Sequence, residues 1–412
     1  MTKRQKESIG IALEIEPDDL KERLDSGEDI YILDVRTPEE YQAWRISYDR
    51  YQNPPLIPVD QLFSLQTKAS EHIPKNKEIV TVCAHGNRSM MAAKLLSRLG
   101  YNVKSVTGGM SGWNAIYDTA KIHTRSGNIR IWQVRRVSKG CIGYLVASRY
   151  DNNAIAIDPT CQIDRTYIKL ARENGLRITK VIDTHMHADH VSGASTLAKS
   201  VSASLCVSLL EGYRANDDQN DIGLANNSSI EWIRNGKKIE IGNGVELIAI
   251  HTPGHTNGSI SFSLSDDSSN EKYLFTGDTL FVDGVGRPDL KEDSKKLASK
   301  LHNTYYDIFS EREYADDTII LPGHFNVNVT SLMHGKAISD MLGTIRQEII
   351  GSLPSRKKEF VSTLLHNTPP KPANYKTIVE INRGLTLCDK MQITELETGP
   401  NSCGISATKR SM

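Results

Sequence analysis

Between His185 and His190 the sequence places three imidazoles and one carboxylate directly after the apolar run ITKVID. Such a cluster is costly to bury unless something binds it. On an extended strand end, residues two apart point the same way, so His185 and His187 face one cavity, and a turn through Asp189 and His190 brings further donors toward it. Three more junctions repeat the arrangement: His255 in the turn of HTPGHTNGS, Asp278 after Gly277 in YLFTGD, and His324 in IILPGH. Each follows an apolar run that reads as a strand, and strand ends on one edge of a sheet are where α/β proteins assemble their sites. A single histidine of this kind reads as a satisfied core or surface imidazole. Four junctions together read as a metal site.

A second reactive position is Cys83, which ends the apolar run EIVTVC and opens the loop CAHGNRS before MMAAKLLSRLG, whose apolar spacing is helical up to Gly100. A cysteine between a strand end and a helix start is surrounded by amides without intrahelical partners, and these, with Arg88, favour the thiolate. An isolated cysteine would read as a buried strand-end thiol. The glycine, arginine and serine at fixed offsets argue for a nucleophile.

Two domains are expected to position these groups. In the first, IYILDV (residues 30–35) and residues 78–83 read as strands, TPEEYQAW as a helix opened by Thr37 with Pro38 at its first turn, and VKSVTGG as a further strand and turn. Strands alternating with helices imply a small α/β unit over residues 1–124. RSGNIR, residues 125–130, reads as a linker. The second domain, residues 131–385, opens with the strands IRIWQVRR, GCIGYLVAS and NNAIAIDPT, then a helix ended by Gly175. From residue 331 the chain is expected to turn helical, through SLMHGKAISDMLGTIRQEII and SRKKEFVSTLLHNTP, before a short strand at TIVEINRG. Residues 386–412 are expected to form a C-terminal tail that packs poorly or meets a partner subunit.

Bulk properties exclude several function classes. Fifty basic residues balance fifty acidic ones, giving no overall field to draw nucleic acid or an anionic membrane. The N-terminus is too acidic and too short in apolar run for a secretory segment, and no run approaches bilayer length, so a cytoplasmic protein is expected. The six cysteines show no zinc-knuckle spacing, and a chain of 412 residues needs no disulfide staple.

The first third of the chain resembles the rhodanese family through LDVR, PEEY, the C-x-x-G-x-R-S loop and GG before a tryptophan. The resemblance implies that Cys83 carries sulfane sulfur as a persulfide, that Arg88 steadies the anionic donor, and that Asp34 and Arg36 shape the site. Where the family has Gly-His-Ile, this sequence has Trp44, Arg45 and Ile46.

From about residue 130 into the 380s the sequence resembles the metallo-β-lactamase superfamily, an αββα sandwich, and more finely its persulfide dioxygenases, through THMHADHVSG, HTPGHTNGS, FTGDTLFVDGVGRPDL and LPGHF. The fold expected is thus α/β followed by α+β: a rhodanese-like α/β domain, then the sandwich. The resemblance implies one Fe(2+) per chain held by His185, His255 and Asp278, with His187, Asp189, His190 and His324 orienting ligands and waters, and Arg287 holding a carboxylate of glutathione. The implied reaction oxidises glutathione persulfide, or a coenzyme A or other thiol persulfide, with dioxygen to sulfite and thiol. A coupled sulfurtransferase would exchange sulfite and thiosulfate, and a homo-oligomer is possible. Phe325 and Asn326 replace the branch's Asp and Tyr after His324. Two alternatives stand beside this reading: thiolester hydrolysis of the glyoxalase II kind, with Asp189, His190 and His324 holding a second ion, and a sulfur carrier or sensor with one degenerate site.

Overall fold

The computed structural model describes residues 13–65, 72–125, 127–161, 164–213, 229–242, 244–266, 270–290, 293–310, 313–372, 374–384, 390–399 and 403–406. The chain divides into two compact units between Ile116 and Tyr117.

The first unit is built on a four-stranded parallel sheet in the order Glu14–Ile15, Val103–Val106, Glu78–Val82, Ile30–Asp34. Parallel strands are covered on both faces and so read as continuous apolar runs, which is why IYILD and EIVTV are uninterrupted. The helix Asn87–Arg98 presses Ala92, Ala93 and Leu96 onto Leu33, Ile79 and Val103. Thr37 closes a capping box with Glu40 at the start of helix Pro38–Ala43, as its sequence implies.

The second unit is an αββα sandwich. One sheet has seven strands in the order Ile230–Ile233, Ser204–Ser208, Arg177–Ile182, Asn153–Ile157, Ile142–Ser148, Ile129–Arg136, Tyr117–Ile122. The other has six: Lys238–Gly242, Val245–His251, Ile260–Asp266, Glu271–Gly277, Ile319–Pro322, Asp340–Met341. The helices Asp164–Glu173 and Ala194–Val201 contribute Tyr167, Ala171, Leu197 and Ala198 to one core layer. Helices Ser294–Asn303, Leu342–Glu348 and Lys357–His366 cover the other through Leu301, Ile345 and Phe360. Tyr144 meets Phe275 edge to face between the sheets, its hydroxyl donating to the Pro322 carbonyl.

Four elements differ from expectation. Tyr117–Ile122 alternates half-buried or exposed with buried residues and pairs antiparallel with Ile129–Arg136, so the second unit starts before residue 124 and the supposed linker 125–130 holds a hairpin connection and the start of a strand. TIVEINRG, read as a strand for its β-branched residues, belongs to the helix Tyr375–Arg383, because Ile378, Val379 and Asn382 share one buried face at helical spacing. The helix expected from residue 331 begins only at Leu342, after the short strand Asp340–Met341. Described residues of the supposed tail join the core: Gly404–Ser406 pairs with Gly284–Gly286, and Glu397 forms a buried ion pair with Arg136. Among the cysteines, Cys161 is disulfide-bonded, whereas Cys83, Cys141, Cys206 and Cys403 are free.

Candidate metal centre

The four junctions converge. His185 and its neighbours follow strand Arg177–Ile182, His255 follows Val245–His251, Asp278 follows Glu271–Gly277, and His324 follows Ile319–Pro322. All four side chains are buried. One ligand atom each from His185, His255 and Asp278 lie within 4.8 Å of one another. His185 Nε2 stands 3.6 Å from Asp278 Oδ2, and His255 Nε2 stands 3.7 Å from the same oxygen. None of these three atoms has a hydrogen-bond partner. Buried polar atoms are nearly always paired. Three unpaired ones aimed at a common point have the donor set a cation requires, two nitrogens and an oxygen.

The outer ring nitrogens fix which lone pair faces inward. The Thr184 hydroxyl donates to Asp158 Oδ2 at 2.7 Å and so accepts from His185 Nδ1 at 2.9 Å. His255 Nδ1 donates to the Arg287 carbonyl at 2.8 Å, an oxygen that only accepts. Both Nε2 atoms therefore present lone pairs. Burial lowers the pKa of both imidazoles, which keeps them in the neutral form that ligation needs. Close backbone approach also shapes the site: a Cβ on Gly286 would lie 1.9 Å from the Asp278 carbonyl oxygen and 3.1 Å from His255 Cβ.

Among the remaining polar residues of the signature, Asp189 and His324 are bonded within the cluster, whereas both ring nitrogens of His187 and Nε2 of His190 are also without a hydrogen-bond partner. His324 spends Nε2 on Asp189 Oδ2 at 2.9 Å and Nδ1 on Asp278 Oδ1 at 2.5 Å. His190 Nδ1 donates to Asp189 Oδ1 at 3.0 Å. Burial opposes charge on His190, yet Asp189 outweighs it and holds the imidazole at a pKa of about 10. His187 Nε2 faces Asp158 Oδ1 at 3.3 Å.

Cys141, given no role from sequence, joins this ring with its Sγ 3.4 Å from Asp189 Oδ2. Burial and Asp189 work against its thiolate, but His324 and His190 bring its pKa down to about 7. A ligand atom each from Cys141, Asp189, His190 and His324 fall within 4.8 Å of one another. No local motif marked Cys141, because the residue reaches the site through a bridge between its own backbone and that of His324.

Asn382 was also missed. Its side-chain amide donates to the carbonyls of His187 and His190 at 2.9 Å each and accepts from Ser192 N–H at 2.9 Å. Glu397 accepts from Val191 N–H at 2.7 Å. Residues late in the chain thus clamp the His185–His190 loop. Arg287, expected to reach a substrate carboxylate, is fully buried and bonds Asp289 at 2.7 Å and the carbonyls of Pro369 and Pro370.

In the first unit Cys83 Sγ accepts from Gly86 N–H at 3.1 Å and lies 3.3 Å from the Ser89 hydroxyl. The loop is held against the turn that follows the strand Val103–Val106, where a Cβ on Gly109 would meet the Cys83 carbonyl oxygen at 2.3 Å. Arg88 pairs with both oxygens of Glu40, at 2.6 and 2.8 Å. Asp34 and Arg36 form a buried ion pair at 2.6 Å, and Arg36 also bonds the carbonyl of Trp44. Those two residues brace the segment between Asp34 and Trp44.

Residues 143–324 match the metallo-beta-lactamase superfamily and residues 16–116 match the rhodanese-like domain. The mitochondrial persulfide dioxygenase ETHE1 of Bos taurus is 29% identical over 264 residues, covering 63% of this chain and 90% of that protein. A hydroxyacylglutathione hydrolase of Nitrosococcus oceani is 34% identical over 143 residues, 35% of this chain and 48% of that one. Among solved structures, a metallo-beta-lactamase from Staphylococcus aureus superposes with a TM-score of 0.52 at 27% identity, covering 66% of this chain and 74% of that chain.

Proposed function

We propose that this chain, a metallo-beta-lactamase superfamily domain joined to a rhodanese-like domain and related at moderate identity to persulfide dioxygenases, is itself a non-haem iron persulfide dioxygenase with a sulfurtransferase unit. The observation that carries this reading is the contrast in the polar cluster. The atoms of His185, His255 and Asp278 that face one another are unpaired, while both oxygens of Asp189 and both nitrogens of His324 are taken. The trio thus offers three donors to one ion, while His187 and His190 keep unpaired nitrogens beside it.

Two imidazoles and one carboxylate are the facial set that suits ferrous iron and leaves positions open. When bound, the iron supplies electron transfer between a sulfur donor and dioxygen. The overall change balances as RSSH + O2 + H2O giving RSH, sulfite and two protons, with the terminal sulfur oxidised and dioxygen reduced. The chain's own part is placement. Thr184 and the Arg287 carbonyl orient the two imidazoles, and His324 fixes the Asp278 carboxyl by its second oxygen. His190 holds a proton at Nδ1 against Asp189.

At Cys83 the thiolate would attack the outer sulfur of thiosulfate, forming an S–S bond to cysteine and expelling sulfite. The Gly86 amide and the Ser89 hydroxyl stabilise charge on that sulfur. The substrates on this reading are a thiol persulfide, dioxygen, and sulfite or thiosulfate.

The test is anaerobic loading with ferrous ion, metal analysis, and oxygen uptake with glutathione persulfide. One iron per chain and sulfite formation are expected. A second reading, thiolester hydrolysis with two ions, has the Cys141, Asp189, His190 and His324 group in its favour. Two metals per chain with anaerobic thiolester cleavage and no oxygen uptake would establish it instead.

A further inference from the structure

The Arg287 guanidinium is buried on Asp289 and two proline carbonyls, so the group expected to recognise the thiol carrier faces other partners. A different region of the second unit carries exposed charge. A cleft of about 960 Å³ runs between the helices Ser294–Asn303 and Tyr375–Arg383 and bears Lys296, Lys300, Lys371, Lys376 and Arg383. Two acids share its lining: Asp293 caps the first helix by accepting from Lys296 N–H, and Glu380 pairs with Arg383 at 2.9 Å. Among the described residues the lining carries an excess of three positive charges, in a chain whose net charge is zero.

The four lysines are held apart from acids. Lys300 donates to the Asn257 side-chain carbonyl, and Lys371 lies 5.4 Å from the centre of the Tyr375 ring. Lys296, Lys371 and Lys376 are exposed, and among the described residues none of the four lysines forms an ion pair. The floor beneath them is apolar, from Leu290, Leu297 and Val379, with Tyr375 at its edge. A ligand matched to this cleft has several negative charges and a flat apolar part.

The cleft shares its elements with the metal centre. Asn257 lies two residues beyond His255, which bounds their Cα separation at about 7 Å. The helix bearing Lys376, Val379 and Arg383 also bears Asn382, which grips the carbonyls of His187 and His190. A carrier docked in the cleft by one end therefore rests on the scaffold of the reacting centre.

We propose that this cleft binds the phosphorylated nucleotide end of a coenzyme A-type thiol, so that the physiological persulfide is borne on a phosphate-rich carrier. The inference rests on the persulfide reading for its purpose, though the binding itself does not. Charge selects the occupant: a phosphomonoester alone carries about −1.5 to −2 at pH 7. Glutathione, with two carboxylates against one ammonium, brings only about −1. Lysine ammoniums bind phosphate as point charges, and an adenine face suits the tyrosine and aliphatic floor.

The experiment is calorimetric titration of the full chain with adenosine 3′,5′-bisphosphate, without persulfide or oxygen. Adenosine serves as the uncharged control and glutathione as competitor. The bisphosphate is expected to bind at one site, more weakly as salt rises, and adenosine to show no heat. The Lys296→Ala/Lys376→Ala double variant should weaken binding by roughly tenfold or more, and Lys376→Arg should stay within about threefold of the parent. No binding to the parent chain, undiminished binding to the double variant, or displacement by equimolar glutathione overturns the proposal. Because turnover is absent, a failure here leaves iron-dependent oxygen uptake untouched, and loss of that uptake leaves this binding untouched.

Discussion

In the first unit the sulfur of Cys83 is within reach of two donors from its own loop, and the charged groups around it are already matched, Asp34 with Arg36 and Glu40 with Arg88. In the second unit the inward atoms of His185, His255 and Asp278 are buried without partners, although carboxylates, imidazoles and a thiol crowd the surrounding space. The difference follows from what each chemistry needs. A nucleophilic sulfur needs amides with no helical partner, which one strand-to-helix loop provides. A cation site needs donors withheld from one another, and here separate strand ends, each fixing its own residue, keep them so. The sulfur of Cys83 has its donors in place, and the donors of the trio are left free to hold an ion.

The contrast can be broken most directly at Asp278, whose replacement by alanine removes the one anionic donor of the trio. Asp278→Ala is expected to lower ferrous-ion affinity by more than about 100-fold and to reduce oxygen uptake to background, measured by metal analysis and an oxygen electrode. Sulfur transfer at Cys83 should survive in that variant. The reverse change, Cys83→Ser, should abolish the mass gain of a cysteine persulfide on treatment with thiosulfate. Iron content should not move, and equal loss of both activities in either variant would erase the distinction between the units.

Smaller effects sharpen it. Glu397 lies in the late segment that clamps the metal-bearing loop, and its ion pair with Arg136 is fully buried at 2.5 Å. Glu397→Gln removes the negative partner of a buried guanidinium, with an expected loss of about 3–5 kcal/mol in denaturant unfolding. The pair Glu40 and Arg88 is about one-third exposed and offers the opposite case. The Arg88 guanidinium lowers the Glu40 carboxyl to about 2, from an ordinary 4.5. Because the folded value is depressed, this contribution is complete above about pH 4.5 and fades as pH falls through 2. Solvent screening limits it to about 0.2–1 kcal/mol, so Glu40→Gln should flatten the acid limb of the stability curve only slightly.

Much of this was legible before folding. The uninterrupted apolar runs marked buried strands, the capping box at Thr37 marked a helix start, and His or Asp after each of four runs marked the convergent site. Where local preference and tertiary packing disagreed, packing won. TIVEINRG has strand-forming residues, yet it coils as a helix because Ile378, Val379 and Asn382 are buried together on one face. Glycine, proline and scattered polar residues near the C-terminus suggested loose packing, but Gly404–Ser406 completes a ladder with Gly284–Gly286.

Residue types and their distance from strand ends were determined by the sequence alone, since a strand's period fixes which side chains share a face and where the run stops. Which donors remain unpaired was decided by the tertiary structure. The turning of Arg287 into the interior, the arrival of Cys141 beside Asp189 and the grip of Asn382 on the histidine loop all join positions far apart in the chain. No local pattern encodes such contacts, because they exist only once two sheets and their covering helices have closed around the same buried volume.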